Sequence, residues 1–382
     1  MISKNILFSS FDKKKKLKKN ANKIFKKIKW TNQYPLLESF TENYNYNYKK
    51  SLIKKYIKSK KIRVIGMGGS SLGTKSIYSF LRKKIKKKII FVDNLTPNLI
   101  KENNCTNVVI SKSGGTLETI SNYHVLSKEK GNKFIFITEK KNNSLRKIAE
   151  DIKAEIVDHK NYIGGRFSVL SEVGMLPAEL MGLKEKKFKK LNYLIKNKNF
   201  VKSLLLNVDQ TLSLVKNGKF NSIILNYDEK SENLFKWYQQ LIAESLGKKS
   251  KGIIPFISTM PKDNHSLLQL YLDGPKKSFY TFFNVKNNSS SLISKAKFYP
   301  IIGNKYLSDI ISSQELATKN IFSKKKIPYR EITVLKRNEE SLGELFCFFV
   351  LETILLGRAL KVNTFDQPSV EMIKKETKKI LS

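Results

Sequence analysis

From about residue 60 onward, short apolar runs alternate with amphipathic stretches. "RVIGM" (63–67), "IIFVD" (89–93), "NVVIS" (107–111), "KFIFIT" (133–138) and "AEIVD" (154–158) each have the length of a buried parallel strand. The polar–apolar spacing between them predicts helices near 70–84, 116–129 and 143–150. Such alternation is the pattern of βαβ units, so the fold class is α/β with a doubly wound, mainly parallel sheet. A Lys-rich stretch at 183–200, read as helical, leads to a second unit. Its strands are "NSIILNY" (221–227), "GIIPFI" (252–257), "SFYTFFNV" (278–285) and "YREITVL" (329–335). Helices near 231–247, 306–322, 340–359 and 367–381 separate and follow them. Residues 1–50 are polar, Lys-rich and aromatic in patches, without a strong strand signal, and read as a helical lead-in or a wrap around the body. The predicted division is therefore 1–50, 51–200 and 201–382, the last ending in a C-terminal helix.

Two strand-to-helix junctions carry candidate chemistry. "VIGMGGSSLGTKS" (64–76) misses the dinucleotide fingerprint because position 71 is Ser rather than Gly. It also misses the P-loop pattern, because Lys75 comes one position late. What remains is a glycine-opened helix N-terminus at Gly69 and Ser70, with Ser71 beside them, suited to an anion or to nothing more than a tight turn. "SKSGGTLET" (111–119) repeats the design after another strand. Ser111, Lys112, Ser113 and Thr116 offer hydroxyl and ammonium donors, and Gly114 and Gly115 let the backbone approach a ligand. Both loops follow the carboxyl ends of strands, where ligands of doubly wound sheets sit. Together they suit a phosphate.

Composition changes this picture little. The formal charge is +41, but it comes from 66 lysines against only seven arginines. Nucleic-acid proteins favour Arg for bidentate contacts. An excess of Lys, Asn and Ile spread along the whole chain is the mark of AT-rich codon usage, so no specific nucleic-acid partner is expected. Cys105 and Cys347 form neither a disulfide framework nor a metal spacing and fit a reducing cytoplasm. No apolar stretch reaches the ~18–20 residues of a membrane span. The N-terminus lacks the apolar core and cleavage site of a signal peptide. A soluble, cytoplasmic protein is expected.

A resemblance adds specificity. "GMGGSSLG", "SKSGGTLET", "GGRFSVLSEVG" (164–174), "WYQQLIAESLGK" (237–248), "DNHSLLQLYLDGP" (263–275) and "FDQPSVEMIKK" (365–375) occur in the order found in the glucose-6-phosphate isomerase (phosphoglucose isomerase) family. The chain resembles that family from about residue 60 to 378. The resemblance implies two sugar-isomerase-type (SIS) domains, no cofactor and no metal. It implies that Ser70, Ser111, Lys112, Ser113 and Thr116 bind the sugar phosphate, and that Gln240 and Gln367 line the sugar. It assigns the catalytic base to Glu244, ring opening to His265 and Lys374, and charge stabilisation to Arg166. It further implies a homodimer in which His265 crosses the interface. Two features depart from the pattern. Ser113-Gly114-Gly115-Thr116 stands where many members carry Thr-Phe-Thr-Thr, and the chain is short for the family.

Helical periodicity bears on these assignments. Leu234, Trp237, Tyr238, Leu241 and Ser245 share one face, and Glu244 lies at its edge, where partial desolvation suits a carboxylate base. In the helix after "FDQP", Val370, Ile373, Thr377 and Leu381 mark an inward face that includes Lys374 but not Lys375 or Lys379. His124, within a helix, and His159, at a strand end, read as structural. His265 sits in a polar turn free to reach a cleft. Arg166 follows a glycine pair in a chain where Lys is the default cation, which suggests a need for the planar guanidinium fork. The reading is a reversible aldose–ketose isomerase of glucose 6-phosphate and fructose 6-phosphate. The alternatives are an isomerase that also accepts mannose 6-phosphate and a non-catalytic sugar-phosphate-binding SIS protein.

Overall fold

A computed structural model of the protein describes residues 2–11, 19–27, 30–99, 101–286 and 290–381. Its first sheet is built from β2 (Lys61–Ile65), β3 (Lys88–Val92), β4 (Thr106–Ile110), β5 (Lys133–Glu139) and β6 (Glu155–His159), ordered β3-β2-β4-β5-β6 and parallel throughout. β4 is buried along its whole length, as a central strand covered on both faces requires. The second sheet contains β7 (Asn221–Asn226), β8 (Ile254–Thr259), β9 (Ser278–Val285) and β12 (Tyr329–Val334), also parallel. A short antiparallel ribbon, β10 (Leu292–Ile293) with β11 (Lys305–Tyr306), precedes β12.

The N-terminal segment adds a strand that its sequence signals only weakly: β1 (Ile6–Ser9) pairs antiparallel with β12 and closes the edge of the second sheet. The sheet order is thus β1-β12-β9-β7-β8. Ser3 and Asn5 tie this strand down through the buried Glu344 carboxylate. Covering an exposed parallel edge in this way removes a site for unwanted pairing.

Nine helices matter for the site: α1 (Leu72–Phe80), α2 (Leu117–Leu126), α3 (Ser144–Asp151), α4 (Glu172–Leu180), α5 (Lys198–Lys216), α6 (Glu232–Leu246), α7 (Leu307–Lys324), α8 (Glu339–Leu360) and α9 (Pro368–Leu381). α5 replaces the helix expected over 183–200, which instead holds two single turns. Asn197 caps it by accepting from the backbone of Asn199 and Phe200, and Phe200, Leu204, Leu205 and Val208 are its buried face. α8 is buried along most of its length and forms the central post of the second half.

The two sheets meet through α6 packed on α1. Trp237, Leu241 and Leu234 of α6 are essentially fully buried, as are Ile77 and Phe80 of α1. Burial of side chains this large contributes about 1.5–3 kcal/mol each, so the contact fixes one sheet relative to the other. Scarce arginine is spent inside the protein. Arg63 donates to Asn107 and Glu129 at the base of the first sheet, and Arg330 to Glu352 and Asn207 under the second.

Candidate active site

The first sheet changes winding direction between β2 and β4, because β3 lies on one side of β2 and β4 on the other. The loops leaving these strands are the two glycine-containing loops. Such a switch point opens a crevice outside the carboxyl ends. After β2, residues Gly68–Ser70 form a single 3-10 turn, with Ser70 N donating to Met67 O at 3.0 Å and Ser70 half-exposed. Ser71 is turned inward, donating to Gly68 O and lying near Asp93, so it is no ligand donor. Lys75 is engaged with Asp93 at 2.7 Å.

After β4, Ser111 is buried and its hydroxyl meets that of Thr116 at 2.8 Å. Thr116 is the last residue before α2, so this pair sits at the positive end of a helix dipole. Lys112 donates to the Asn161 carbonyl at 2.6 Å and lies 3.5 Å from Glu139. Ser113 is exposed and accepts weakly from Gly115 N. Gly114 has φ +67° and packs so tightly on Asn143 that an added Cβ would sit 1.8 Å from its Oδ1. Gly115, by contrast, faces open space. One glycine makes the turn and the next leaves room for a ligand.

Opposite these loops stands Arg166, in the 3-10 turn Gly165–Leu170. It is only 3% exposed, and every nitrogen of its guanidinium is used. Nε donates to Ser245 Oγ at 2.9 Å; Nη1 donates to Glu244 Oε2 and Gln367 Oε1, both at 3.0 Å. Nη2 donates to the carbonyls of Thr364 (2.6 Å) and Asp366 (3.1 Å). Burial pulls its pKa below the usual guanidinium value, and the Glu244 carboxylate opposes that shift. Trp237 of α6 fixes the turn by donating from its indole to Arg166 O at 3.1 Å.

Glu244 is held at both oxygens. Oε2 accepts from Arg166 and Oε1 from Gln240 Nε2 at 2.9 Å, with the side chain 27% exposed. That is the edge position expected from the helical spacing. Gln240 in turn lies against the first loop: a Cβ on Gly68 would sit 2.8 Å from its Nε2. Its Oε1 is buried without a partner among the described residues. Gly69 closes the group, since a Cβ there would stand 2.2 Å from the Gly165 carbonyl carbon and 2.6 Å from Arg166 N. Only a residue lacking Cβ lets the loop pass so close to the Arg166 turn. Gly69, Ser70, Arg166, Gln240, Glu244 and Gln367 are thus one contiguous group. A cavity of about 350 Å³ opens beside it, between Lys112, Gly164, Phe167 and Phe365.

Two expected residues lie elsewhere. His265 is exposed at the end of the turn Lys262–His265, and no hydrogen bond joins it to Glu244 or Arg166. Asp263 fixes that turn by accepting from Ser258 Oγ and Thr259 N. Lys374 does not face inward: it is 53% exposed on α9 and donates to Glu371 at 2.7 Å. The face expected to be buried is uncovered, with Val370 40%, Ile373 70% and Leu381 66% exposed. The apolar spacing is real, but among the described residues nothing covers this face. Among the other histidines, His159 is buried and bonded to Ile163 O, and His124 is exposed on α2.

The sequence reading missed Ser245, which orients Arg166, and Lys248, which lies 3.4 Å from Asp366. Both fall inside the "WYQQLIAESLGK" stretch, four residues or fewer from Glu244. Thr364 and Asp366 were not foreseeable, since they act on Arg166 through backbone oxygens. Taken together, the arrangement offers a carboxylate set against a buried guanidinium, next to a cavity that Lys112 of the second loop also lines. It can hold an anionic group at one end and move a proton at the other.

Comparison with known proteins agrees with this chemistry. The model of the family described as phosphoglucose isomerase matches residues 16–260. A glucose-6-phosphate isomerase of Methanocaldococcus jannaschii is 36% identical over 333 residues, covering 82% of each chain. A glucose-6-phosphate isomerase of Campylobacter jejuni is 31% identical, covering 86% of each. Among solved structures, a hypothetical protein from Thermus thermophilus superposes with a TM-score of 0.81 at 21% identity, over 95% of this chain and 94% of that one. A glucose-6-phosphate isomerase from Chlamydia trachomatis superposes at 0.72 and 19%, over 87% and 71%. At those identities the structural matches speak for the fold.

Proposed function

The chain belongs to the phosphoglucose isomerase family and is an aldose–ketose isomerase, and from that premise we propose that it interconverts glucose 6-phosphate and fructose 6-phosphate through a cis-enediolate. The observation that carries this reading is Glu244 poised between Arg166 and Gln240 beside the loop that begins at Gly68.

In the proposed reaction the phosphate is gripped by Ser70, Ser111, Lys112, Ser113 and Thr116. Its binding energy orients carbons that do not touch it. Glu244 takes the proton from C2 of the open aldose and returns it to C1. Arg166, held by two backbone carbonyls and Ser245, stabilises the oxygen that becomes negative in the enediolate. The free Oε1 of Gln240 accepts from a substrate hydroxyl, and Gln367 lines the same wall. A Glu base beside a fixed electrophile is the arrangement that triosephosphate isomerase uses for the analogous step.

Ring opening falls to His265 and Lys374, moving a proton between ring oxygen and carbonyl. Their positions on an exposed turn and an uncovered helix support a homodimer in which a second copy covers α9 and contributes its His265. Two buried thiols, Cys105 and Cys347, fit a reducing cytoplasm. Among the described residues no helix is long and apolar enough to cross a membrane.

The test is to incubate the purified chain with fructose 6-phosphate and follow glucose 6-phosphate and mannose 6-phosphate separately. Glucose 6-phosphate as the main product supports the reading. Equal formation of both epimers would assign the broader isomerase, and no turnover would leave a binding protein.

A further inference from the structure

The second sheet has a switch point of its own. β8 lies on one side of β7 and β9 on the other, so a crevice opens at the carboxyl ends of β7 and β9. A cavity of about 850 Å³ occupies that position. It is larger than the cavity beside Arg166, and no residue named in the proposed reaction lines it. From these observations we propose that this cavity is a second anion-binding site, taking a phosphorylated metabolite at the seam between the two sheets.

Charge decides the class of ligand. Three of the acidic residues lining the cavity are already satisfied. Asp228 pairs with Arg337 at 2.5 Å; Glu315, 5% exposed, accepts from Asn284 and pairs with Lys319 at 2.6 Å. Asp309 accepts from Tyr306 N at 2.8 Å at the start of α7. Lys230 and Lys286, which leave the ends of β7 and β9, have no ion-pair partner among the described residues. Glu229, exposed on the same wall, is the fourth acidic residue; set against the two lysines, it leaves the uncommitted charge facing the cavity positive by one. Hydroxyl donors stand at the same place: Ser290 Oγ accepts from Ser308 N at 2.9 Å, in the first turn of α7, an 18-residue helix. Two ammonium groups and serine hydroxyls are donors suited to a phosphate, beside a helix start already capped by Asp309 and Ser290. The volume exceeds what inorganic phosphate alone would fill, which points to a phosphate carried on a larger body.

The location separates this site from the isomerase cleft. α1 presents Ser70 at its start and ends against the cavity wall, where Phe80 O accepts from Arg337 at 3.2 Å. α6 begins at the wall formed by Asp228–Lys230 and carries Glu244 thirteen residues beyond Ser231, about 20 Å away at 1.5 Å per residue. A ligand here does not overlap the sugar.

The experiment is calorimetric titration of the full-length protein with inorganic pyrophosphate at low ionic strength. Wild type is expected to bind two pyrophosphates per chain, one at each crevice. The Lys230→Gln/Lys286→Gln double variant is expected to bind one, with the second weakened more than tenfold, while turnover of fructose 6-phosphate is unchanged. Lys112→Ala is expected to weaken only the other site. One pyrophosphate per chain in wild type, or two that survive the double substitution, overturns the proposal. Lys286→Gln alone, at an exposed position, repeats the test should the double variant fold poorly; loss of affinity at one site supports the proposal and its absence counts against it. Turnover read in parallel tells failure of this site apart from failure of the isomerase reading.

Discussion

Arg166 and Glu244 are bonded at 3.0 Å across the seam between the two halves, and the same guanidinium nitrogen also holds Gln367 at 3.0 Å. One buried cation therefore positions the Glu244 carboxylate, the Gln367 amide and two backbone carbonyls at once. A charge desolvated to this degree is tolerated only because every donor is used.

Removing the carboxylate isolates the base. Glu244→Gln keeps the size and the contact with Gln240 but cannot take a proton, so kcat should fall by about 10²–10⁴. Affinity for sugar phosphate, measured by titration of the inactive variant, should stay within a few fold. Near-normal turnover would remove Glu244 from the role.

The guanidinium geometry gives a second test. Lysine at 166 keeps the charge but cannot serve Ser245, Glu244, Gln367, Thr364 and Asp366 together. Arg166→Lys should lower kcat by about 10² or more with a smaller change in KM, as expected for a group acting on developing charge. A variant with wild-type kcat would reduce Arg166 to a scaffold.

Gly69 should tolerate no side chain. Its Cβ would fall 2.2–2.6 Å from the backbone of Gly165 and Arg166, and Arg166 cannot yield without disturbing the Glu244 carboxylate it holds. Gly69→Ala is expected to cost about 1–3 kcal/mol and to depress kcat, while Gly115→Ala, facing open space, should leave the fold intact. Equal unfolding midpoints for wild type and Gly69→Ala would show that the close approach is not required.

These residues were legible because each carries a local signal: helical spacing put Glu244 at the edge of an apolar stripe, and glycine pairs marked the loops. The strands of both sheets were legible because buried parallel strands are continuous apolar runs. β1 was not, since four residues between polar neighbours show no period and its partner lies more than 300 residues away. α5 begins later than Lys density suggests, because Asn197 and the Phe200–Leu204–Val208 spacing, not the lysines, mark its start. Lys374 shows the limit of the wheel. Periodicity identifies the side of α9 that is apolar, not whether anything covers it.

A shared site makes a mixing prediction. If His265 crosses the interface, the inactive variants Glu244→Gln and His265→Ala should complement when unfolded together and refolded. Random pairing puts one intact site in each heterodimer, so activity should return to about a quarter of wild type. Recovery absent from a mixture shown to contain heterodimer would place His265 and Glu244 on the same chain.

His159 sets a pH dependence outside the reaction. Burial pushes its imidazole down to about 4, from an ordinary value of 6.5. The unfolded chain then binds the proton more readily than the folded one between those values. Stability is thus fully present above pH 6.5 and falls as pH drops toward 4, by about 3 kcal/mol at 1.36 kcal/mol per unit. Urea midpoints of wild type and His159→Phe measured from pH 4 to 7 should show a slope that the variant lacks; parallel curves would contradict it.

The central claim is that a carboxylate carries hydrogen between adjacent carbons, and solvent isotope reads it directly. The protein is mixed with fructose 6-phosphate in deuterated water and the glucose 6-phosphate formed is analysed by proton NMR. Deuterium at C2 of the product, absent when Glu244→Gln is used, is the predicted result. Rapid formation of glucose 6-phosphate with no deuterium at C2 would mean that hydrogen moves without passing through an exchangeable base, and would contradict the account.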